Sequence, residues 1–300
     1  MKQVIGIDVG GTRIKALAVD ESGTVLADHV MPTGDDGTEN WKQNVIRAAS
    51  EVARMAGVTP IAHGFASPGM PSRDGFSIAS MPGRLPGLEG HEWQECLGSP
   101  TSVPVLNDAQ AALLGETWLG AAKGACNAFL LTLGTGVGGA AVVDGHLLRG
   151  HLGRAGHLGH LSLDPAGPPD IVGTPGSLED AIGNHTVEKR TRGRFTDTRE
   201  LVEAAMSGDP VAQEAWETSI RALAAAISGL INVLDPEFVI LGGGIARAGD
   251  ALLGPLARHL NHFEWRPNGH RARLVSAALG DRAGALGAAR TALDFTSPTS

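Results

Sequence analysis

The chain has 300 residues, 42% hydrophobic and 19% charged, with a mean hydropathy of +0.01, so it is globular rather than disordered, and two domains are the default for its length. A net charge of −8 and a pI near 5.7 exclude a broad basic footprint for DNA or RNA. Its two cysteines, Cys96 and Cys126, can build neither a disulfide framework nor a cysteine zinc site by themselves.

Three short strands are expected first, at 3–9, 14–19 and 24–30, joined by the turns GGTR and DESG. Residues 38–56 carry helical spacing, with Trp41, Val45, Ala49 and Val52 on one face. A strand at 61–67 leads into a Pro- and Gly-rich loop over 68–90, a length that in compact domains is usually functional. A strand at 103–107 and a helix at 109–121 follow. Residues 125–149 then repeat the opening order: apolar strand, Gly-rich turn, apolar strand, tight Asp144-Gly145 turn, strand. The uncharged stretch 124–143 is long enough to raise the membrane question, but its five glycines read as strand, turn, strand. Helices are expected at 177–191, 198–207, 211–234 and 249–260, strands at 238–244 and 273–279, and a closing helix at 283–294. The run 222–234 has no charge and is expected as a buried core helix. One supersecondary unit used twice implies a duplicated fold with a cleft between the copies. Asp8 interrupts the first apolar run, so no targeting segment is read and a cytoplasmic location is expected.

The segment Asp8-Val9-Gly10-Gly11-Thr12-Arg13-Ile14-Lys15 carries the first chemistry. Adjacent glycines let backbone N–H groups approach a phosphate, Thr12 adds a hydroxyl and Lys15 a cation. Asp8, a carboxylate in an apolar strand, needs a partner and suits Mg²⁺ held through water. The alternative is a plain hairpin with a Gly-Gly turn. Neither this turn nor Leu133-Gly134-Thr135-Gly136-Val137-Gly138-Gly139 is a P-loop or a dinucleotide fingerprint, because each joins strand to strand.

DVGGTRIK, LNDAQAALLGE (106–116), LTLGTGVGG (131–139), AGHLGH (155–160) and VILGGGI (239–245) stand in one order that resembles the ROK family of repressors and sugar kinases, over nearly the whole chain. The resemblance implies an α/β, duplicated actin-like (ribonuclease H-like) sugar kinase fold of two lobes, with 1–108 plus 284–300 in the smaller and 109–283 in the larger. It implies an ATP-dependent sugar kinase with Mg²⁺, and a homodimer. Gly10, Gly11, Thr12 and Lys15 then match the first phosphate motif, with Asp8 at the metal, Gly134, Thr135 and Gly136 the second, and Gly242, Gly243 and Gly244 the motif near adenosine. Asn107 and Asp108 match the pair that holds the sugar, with Asp108 as catalytic base. That role is chemically sound, since a carboxylate can accept the proton of a poorly nucleophilic hydroxyl. The residue types alone also allow Asp108 as a helix N-cap. Ser67 and Gly69 match the sugar-side turn, and Glu179 and His160 match sugar contacts.

Two departures alter these expectations. The family's usual glutamate is replaced by His157, which offers one acceptor nitrogen instead of two oxygens, so hydroxyl recognition should differ. The loop after His160 reads Asp170-Ile171-Val172-Gly173-Thr174, without the cysteines of the zinc motif common in the family, so no zinc site is expected. No helix-turn-helix precedes the first strand, so a DNA-binding repressor is not expected. Polyphosphate as donor and a sugar-binding regulatory protein with little turnover are the remaining alternatives.

Overall fold

In a computed structural model, which describes residues 1–296, the strands and helices follow the expected order. β1 (Gln3–Val9), β2 (Arg13–Asp20) and β3 (Val25–Pro32) form the first meander, followed by α1 (Trp41–Ala56), β4 (Ala62–Ser67), the short hairpin β5 (Met70–Pro71) and β6 (Ile78–Ser80), β7 (Val105–Asn107) and α2 (Asp108–Leu119). The second meander is β8 (Ala128–Leu133), β9 (Val137–Val143) and β10 (His146–Leu147). After it come α3 (Leu178–Ile182), α4 (Val187–Arg190), α5 (Thr198–Met206), α6 (Pro210–Leu234), β11 (Phe238–Gly242), α7 (Asp250–Phe263), β12 (Arg273–Ser276) and α8 (Ala283–Phe295).

The described residues divide into two compact units: 1–124 with 148–155 and 278–296, and 125–147 with 156–277. The expected lobe boundary put 109–121 with the larger lobe; here α2 packs on α8 within the first unit. Each unit holds a five-stranded sheet, in the order β3-β2-β1-β4-β7 in the first and β10-β9-β8-β11-β12 in the second. In both, an antiparallel meander continues into two parallel strands. This shared topology is the duplication, and it is the actin-like arrangement.

In the first unit α8 lies directly on the sheet because the contact positions have no side chain. A Cβ on Gly6 or Gly64 would strike the carbonyl oxygens of Ala285 and Ala288, and one on Gly287 would strike that of Ala111 in α2. The other face of the sheet is covered by α1, through Trp41, Val45, Ala48 and Val52, and by the 68–93 loop. Trp93 stacks on Phe65 with centroids 4.3 Å apart, and Leu85 and Leu88 are buried. That loop is therefore an ordered part of the core, with burial enough to offset its backbone ordering. Glu116 is fully buried in α2, where it accepts hydrogen bonds from the backbone N–H of Ala121, Ala278 and Leu279, and so ties α2 to the entry of α8.

In the second unit α6 runs 25 residues from an Asp209 cap. It is the one helix among the described residues long and apolar enough to cross a membrane, and half of that stretch is buried in the unit. Its uncharged run is amphipathic instead of wholly buried: Leu223, Ile227 and Leu230 face inward, while Val233 is 78% exposed. The stretch 124–143, by contrast, is β8, a turn and β9. The continuous helix expected over 177–191 is broken at Gly183, which is extended. The break frees the N–H groups of Asn184 and His185 to bond the carbonyls of Gly134 and Thr135, at 2.9 and 3.0 Å. A straight helix would have used those donors internally.

Candidate functional site

In the first unit, β1, β4 and β7 are parallel and end side by side, with Asp8 registered on Ala66 and Ser67 on Asn107. Strand carboxyl ends are where α/β sheets present ligand-binding groups. Asp8 packs under the first turn of α8, where a Cβ on Gly284 would collide with its carboxyl group. Burial raises the Asp8 carboxyl to about 7, Asp108 adds to the shift, and Lys15 opposes it. Lys15 is the cross-strand partner of Asp8, and its Nζ also lies 2.5 Å from the Asp281 carboxylate and 2.6 Å from the Asp281 carbonyl. Asp281, held below the ordinary carboxylate value by that hydrogen bond, is an unpredicted member of the group.

The cap of α2 is Asn107, not Asp108. Asn107 Oδ1 accepts from the Gln110 N–H at 2.7 Å, and Gln110 Oε1 accepts from the Asn107 N–H at 3.2 Å, a reciprocal capping box. Asp108 is the first helical residue and is exposed, with Oδ1 accepting from the Ala109 N–H at 2.8 Å. The capping duty thus falls on a neighbour, and the Asp108 carboxylate reaches solvent from a rigid helix end. Ser67 is fully buried and donates to the Pro68 carbonyl. Gly69 has φ +108°, with Ile78 and Ser80 filling the space a side chain would need.

The Gly10-Gly11-Thr12 turn is closed by the Gly10 N–H on the Arg13 carbonyl at 2.9 Å. Thr33 pins it from the end of β3, its hydroxyl donating to the Gly10 carbonyl at 2.7 Å and its N–H to that of Thr12 at 3.0 Å. Over Gly11 lies the guanidinium of Arg84, presented by the buried loop and 3.6 Å from Asp35. Nothing in the sequence around Arg84 singled it out; only the length of its loop pointed there.

In the second unit, Gly134 and Thr135 line a cavity of about 670 Å³ together with Asn184, Thr198, Arg199, Glu203, Gly244 and Arg247. Thr198 belongs to this lining through its residue surface, while its hydroxyl oxygen is buried without a protein partner. Gly242 closes β11 opposite Thr132, Gly243 (φ +87°) packs on the Leu133 carbonyl, and Gly136 packs on the Glu179 carboxylate. These three shape the cavity's frame, while Gly244 reaches its surface.

His157 precedes a 3-10 turn, Leu158–His160, that packs on β9 where Gly159 meets the Val137 carbonyl. Glu179 accepts from the Val137 N–H at 3.0 Å, and the Leu178 N–H bonds the Leu161 carbonyl at 2.9 Å. Val137 therefore joins His160 and Glu179 into one locus. His160 Nδ1 lies 2.8 Å from Asp170 Oδ2. Among the described residues no group of three or more His, Cys, Asp and Glu side chains is placed to hold a metal ion. Mg²⁺ needs fewer protein ligands, because it keeps waters and takes phosphate oxygens. The raised Asp8 carboxyl near Asp108 fits such an ion, since a cation would favour the ionised form that burial disfavours.

Comparison with known proteins identifies the family and the fold. The model of the ROK family matches residues 4–294. The glucokinase of Thermotoga maritima is 33% identical over 308 residues, covering 96% of each chain. The ROK hexokinase of Thermus thermophilus superposes with a TM-score of 0.85 at 35% identity, covering 98% of each chain. A Streptomyces griseus ROK glucokinase, solved with glucose and AMPPNP, superposes with a TM-score of 0.76 at 27% identity, covering 97% of this chain and 99% of that one.

Proposed function

The chain belongs to the ROK family and is a sugar kinase, and on that premise we propose that it transfers the γ-phosphoryl group of ATP to a hexose hydroxyl with Asp108 as general base. The observation that carries the reading is the registered edge of the first sheet, where Asp8, Ser67 and Asn107 lie at the ends of neighbouring strands and Asp108 follows Asn107 as the first residue of α2. Asp108 stands exposed at the start of α2 with a carboxylate able to take the hydroxyl proton. Asn107 Oδ1 is committed to the cap, so its amide N–H₂ is the group left to hold a sugar oxygen. Ser67 and Gly69 form the sugar-side turn.

Gly11 and Thr12 offer N–H and hydroxyl donors to transferring phosphate oxygens, Gly10 shapes the turn that presents them, and Lys15 sets the charge beside Asp8. Bound Mg²⁺ would supply charge neutralisation between phosphates, with Asp8 holding it through water. In the second unit the 670 Å³ cavity has the size for adenosine and a largely apolar surface with polar groups among it, and Gly134, Thr135 and Gly244 stand at its wall. Gly136, Gly242 and Gly243 support that wall from behind. His157, His160 and Glu179 are assigned to sugar hydroxyls. His157 stands where the family carries glutamate, so hydroxyl preference shifts away from the usual glucose pattern. A cytoplasmic homodimer, expected from the sequence and the family resemblance, completes the reading.

A coupled ADP-release screen over hexoses, hexosamines and polyols tests the activity, and sugar-phosphate formation with polyphosphate in place of ATP tests the donor. Saturable ADP release with a hexose is the expected result; silence across the panel would refute it. Running the same panel on His157→Glu tests the specificity assignment. A shift of preference by about 1–3 kcal/mol, the scale of one mismatched buried hydrogen bond, is expected.

A further inference from the structure

We propose that Asp170 is a positioning residue that fixes the tautomer of His160, so that the Nε2 lone pair is presented to a sugar hydroxyl. This deepens the proposed function and rests on its assignment of His160 to the sugar. Three observations on the loop that follows His160 support it.

First, the Asp170 side chain is fully buried, while that of His160 is 25% exposed. One end of the pair is therefore fixed and the other opens outward. Second, the carboxylate is immobilised before it meets the histidine. Asp170 Oδ1 accepts from the N–H groups of Val172 at 3.0 Å and Thr174 at 2.8 Å, and the loop closes on itself through the Asp170 N–H and the Thr174 carbonyl at 2.9 Å. Third, Oδ2 is left for His160 Nδ1, at 2.8 Å. An ionised carboxylate only accepts, so Nδ1 must carry the proton. A neutral imidazole then has its lone pair on Nε2, the nitrogen away from Asp170.

The ionised state of Asp170 is consistent with this. Burial pushes its carboxyl up, but the hydrogen bonds from His160, Thr174 and Val172 together outweigh burial and hold it below the ordinary value. The loop has no cysteine, so a protein carboxylate does for this imidazole what a bound metal can do elsewhere: it fixes ring orientation and chooses the nitrogen that faces outward.

Asp170→Asn is the discriminating variant. The amide oxygen should keep the two backbone donors, which turns the N–H₂ group toward Nδ1. That nitrogen must then accept, the proton moves to Nε2, and Nε2 becomes a donor. Nitrogen-15 correlation spectra of the imidazoles, with His160 identified by loss of its signals in His160→Gln, read this directly. Wild type should show the proton on Nδ1, and Asp170→Asn should show it on Nε2.

With D-glucose as the probe, the variant should raise the sugar KM about 10–100-fold while the KM for ATP stays within about twofold. A structural lesion would move both constants and the melting temperature. A wild-type proton on Nε2 would overturn the proposal without any variant. So would an unchanged tautomer, or an unchanged sugar KM, in Asp170→Asn. If wild type turns over no sugar, the kinase reading fails on that result alone, and the spectra still decide whether Asp170 sets the tautomer.

Discussion

The two sheets place different chemistry on the same frame. Between their first two strands each has a three-residue glycine-rich turn, Gly10-Gly11-Thr12 in the first unit and Gly134-Thr135-Gly136 in the second. The second cross-strand pair back from the turn is Asp8 with Lys15 in one and Thr132 with Gly138 in the other. The parallel neighbour is Ala66 in one and Gly242 in the other. Three registered substitutions thus separate a charged strand edge, suited to phosphate and metal, from a neutral one that leads into a cavity. The groups laid over the turns differ in sign as well: the Arg84 guanidinium covers Gly11, and the Glu179 carboxylate covers Gly136. Topology supplies two equivalent edges, and the side chains at registered positions decide what each can bind.

The sharpest break in this comparison is Asp108→Asn, which should lower turnover by about 10²–10⁴ while leaving sugar binding in place, because the amide keeps the shape and cannot accept the proton. Single-turnover kinetics beside equilibrium sugar binding separate the two, and near-normal turnover would remove Asp108 from the role of base.

A second test sets Gly11, within the first turn, against Gly243, which follows β11 and packs on the residue that enters the second turn. Gly243→Ala must force a side chain into φ +87° and against the Leu133 carbonyl, whereas Gly11→Ala meets only the movable end of Arg84. The first should cost about 1–3 kcal/mol in urea unfolding and the second much less, with its effect falling on phosphate affinity. Equal costs would mean that the turns are not distinguished by what packs on them.

The parts legible in the sequence were those set by local pattern. Alternating apolar strands around GGTR and LGTGVGG showed the duplication, since periodicity and turn chemistry act over a few residues. The candidate edge of the first sheet was suggested by the turn chemistry of DVGGTRIK, whereas LNDAQ pointed to a site only through the family resemblance, since its local pattern equally suits a helix cap. What escaped depends on contacts between distant segments. Asp281 meets Lys15 across 266 positions, and Arg84 reaches Gly11 only because Leu85, Leu88 and Trp93 bury their loop. The break at Gly183 was hidden because its cause, pairing with the Gly134 and Thr135 carbonyls, lies in another strand turn. The pairing of His160 with Asp170 was likewise invisible, because spacing alone does not show which loop residue folds back.

Asp8→Thr, which copies Thr132 of the second unit, would make the charged edge resemble the neutral one. The Asp8 carboxyl goes from an ordinary value of 3.8 in the unfolded chain to about 7 in the fold. Between those values the native state holds a proton that the unfolded chain has released, so stability is lost as pH rises from about 4 to about 7. In Mg²⁺-free buffer the wild-type melting temperature should fall over that window, and Asp8→Thr should show a smaller fall. Added Mg²⁺ should recover wild type alone at pH 8. Parallel melting curves for both proteins would remove Asp8 from the metal site.

The smallest expected effect probes the opposite charges above the two turns. Arg84 is 46% exposed and its contact with Asp35 is long at 3.6 Å, so the pair adds little to stability. Arg84→Ala should therefore change unfolding free energy by less than about 0.5 kcal/mol. Its guanidinium nevertheless lies where an anion bound to the Gly11 N–H would meet it. Losing one exposed charge-assisted hydrogen bond should raise the KM for ATP about 5–10-fold, and Arg84→Lys should recover part of this, because it keeps the charge without the fork. Glu179→Gln removes the negative charge over the other turn and should leave the KM for ATP nearly unchanged while weakening the sugar. If instead Glu179→Gln alters ATP and Arg84→Ala does not, the phosphates are served by the second turn, and the division of chemistry between the two sheets is the reverse of the one their registered residues indicate.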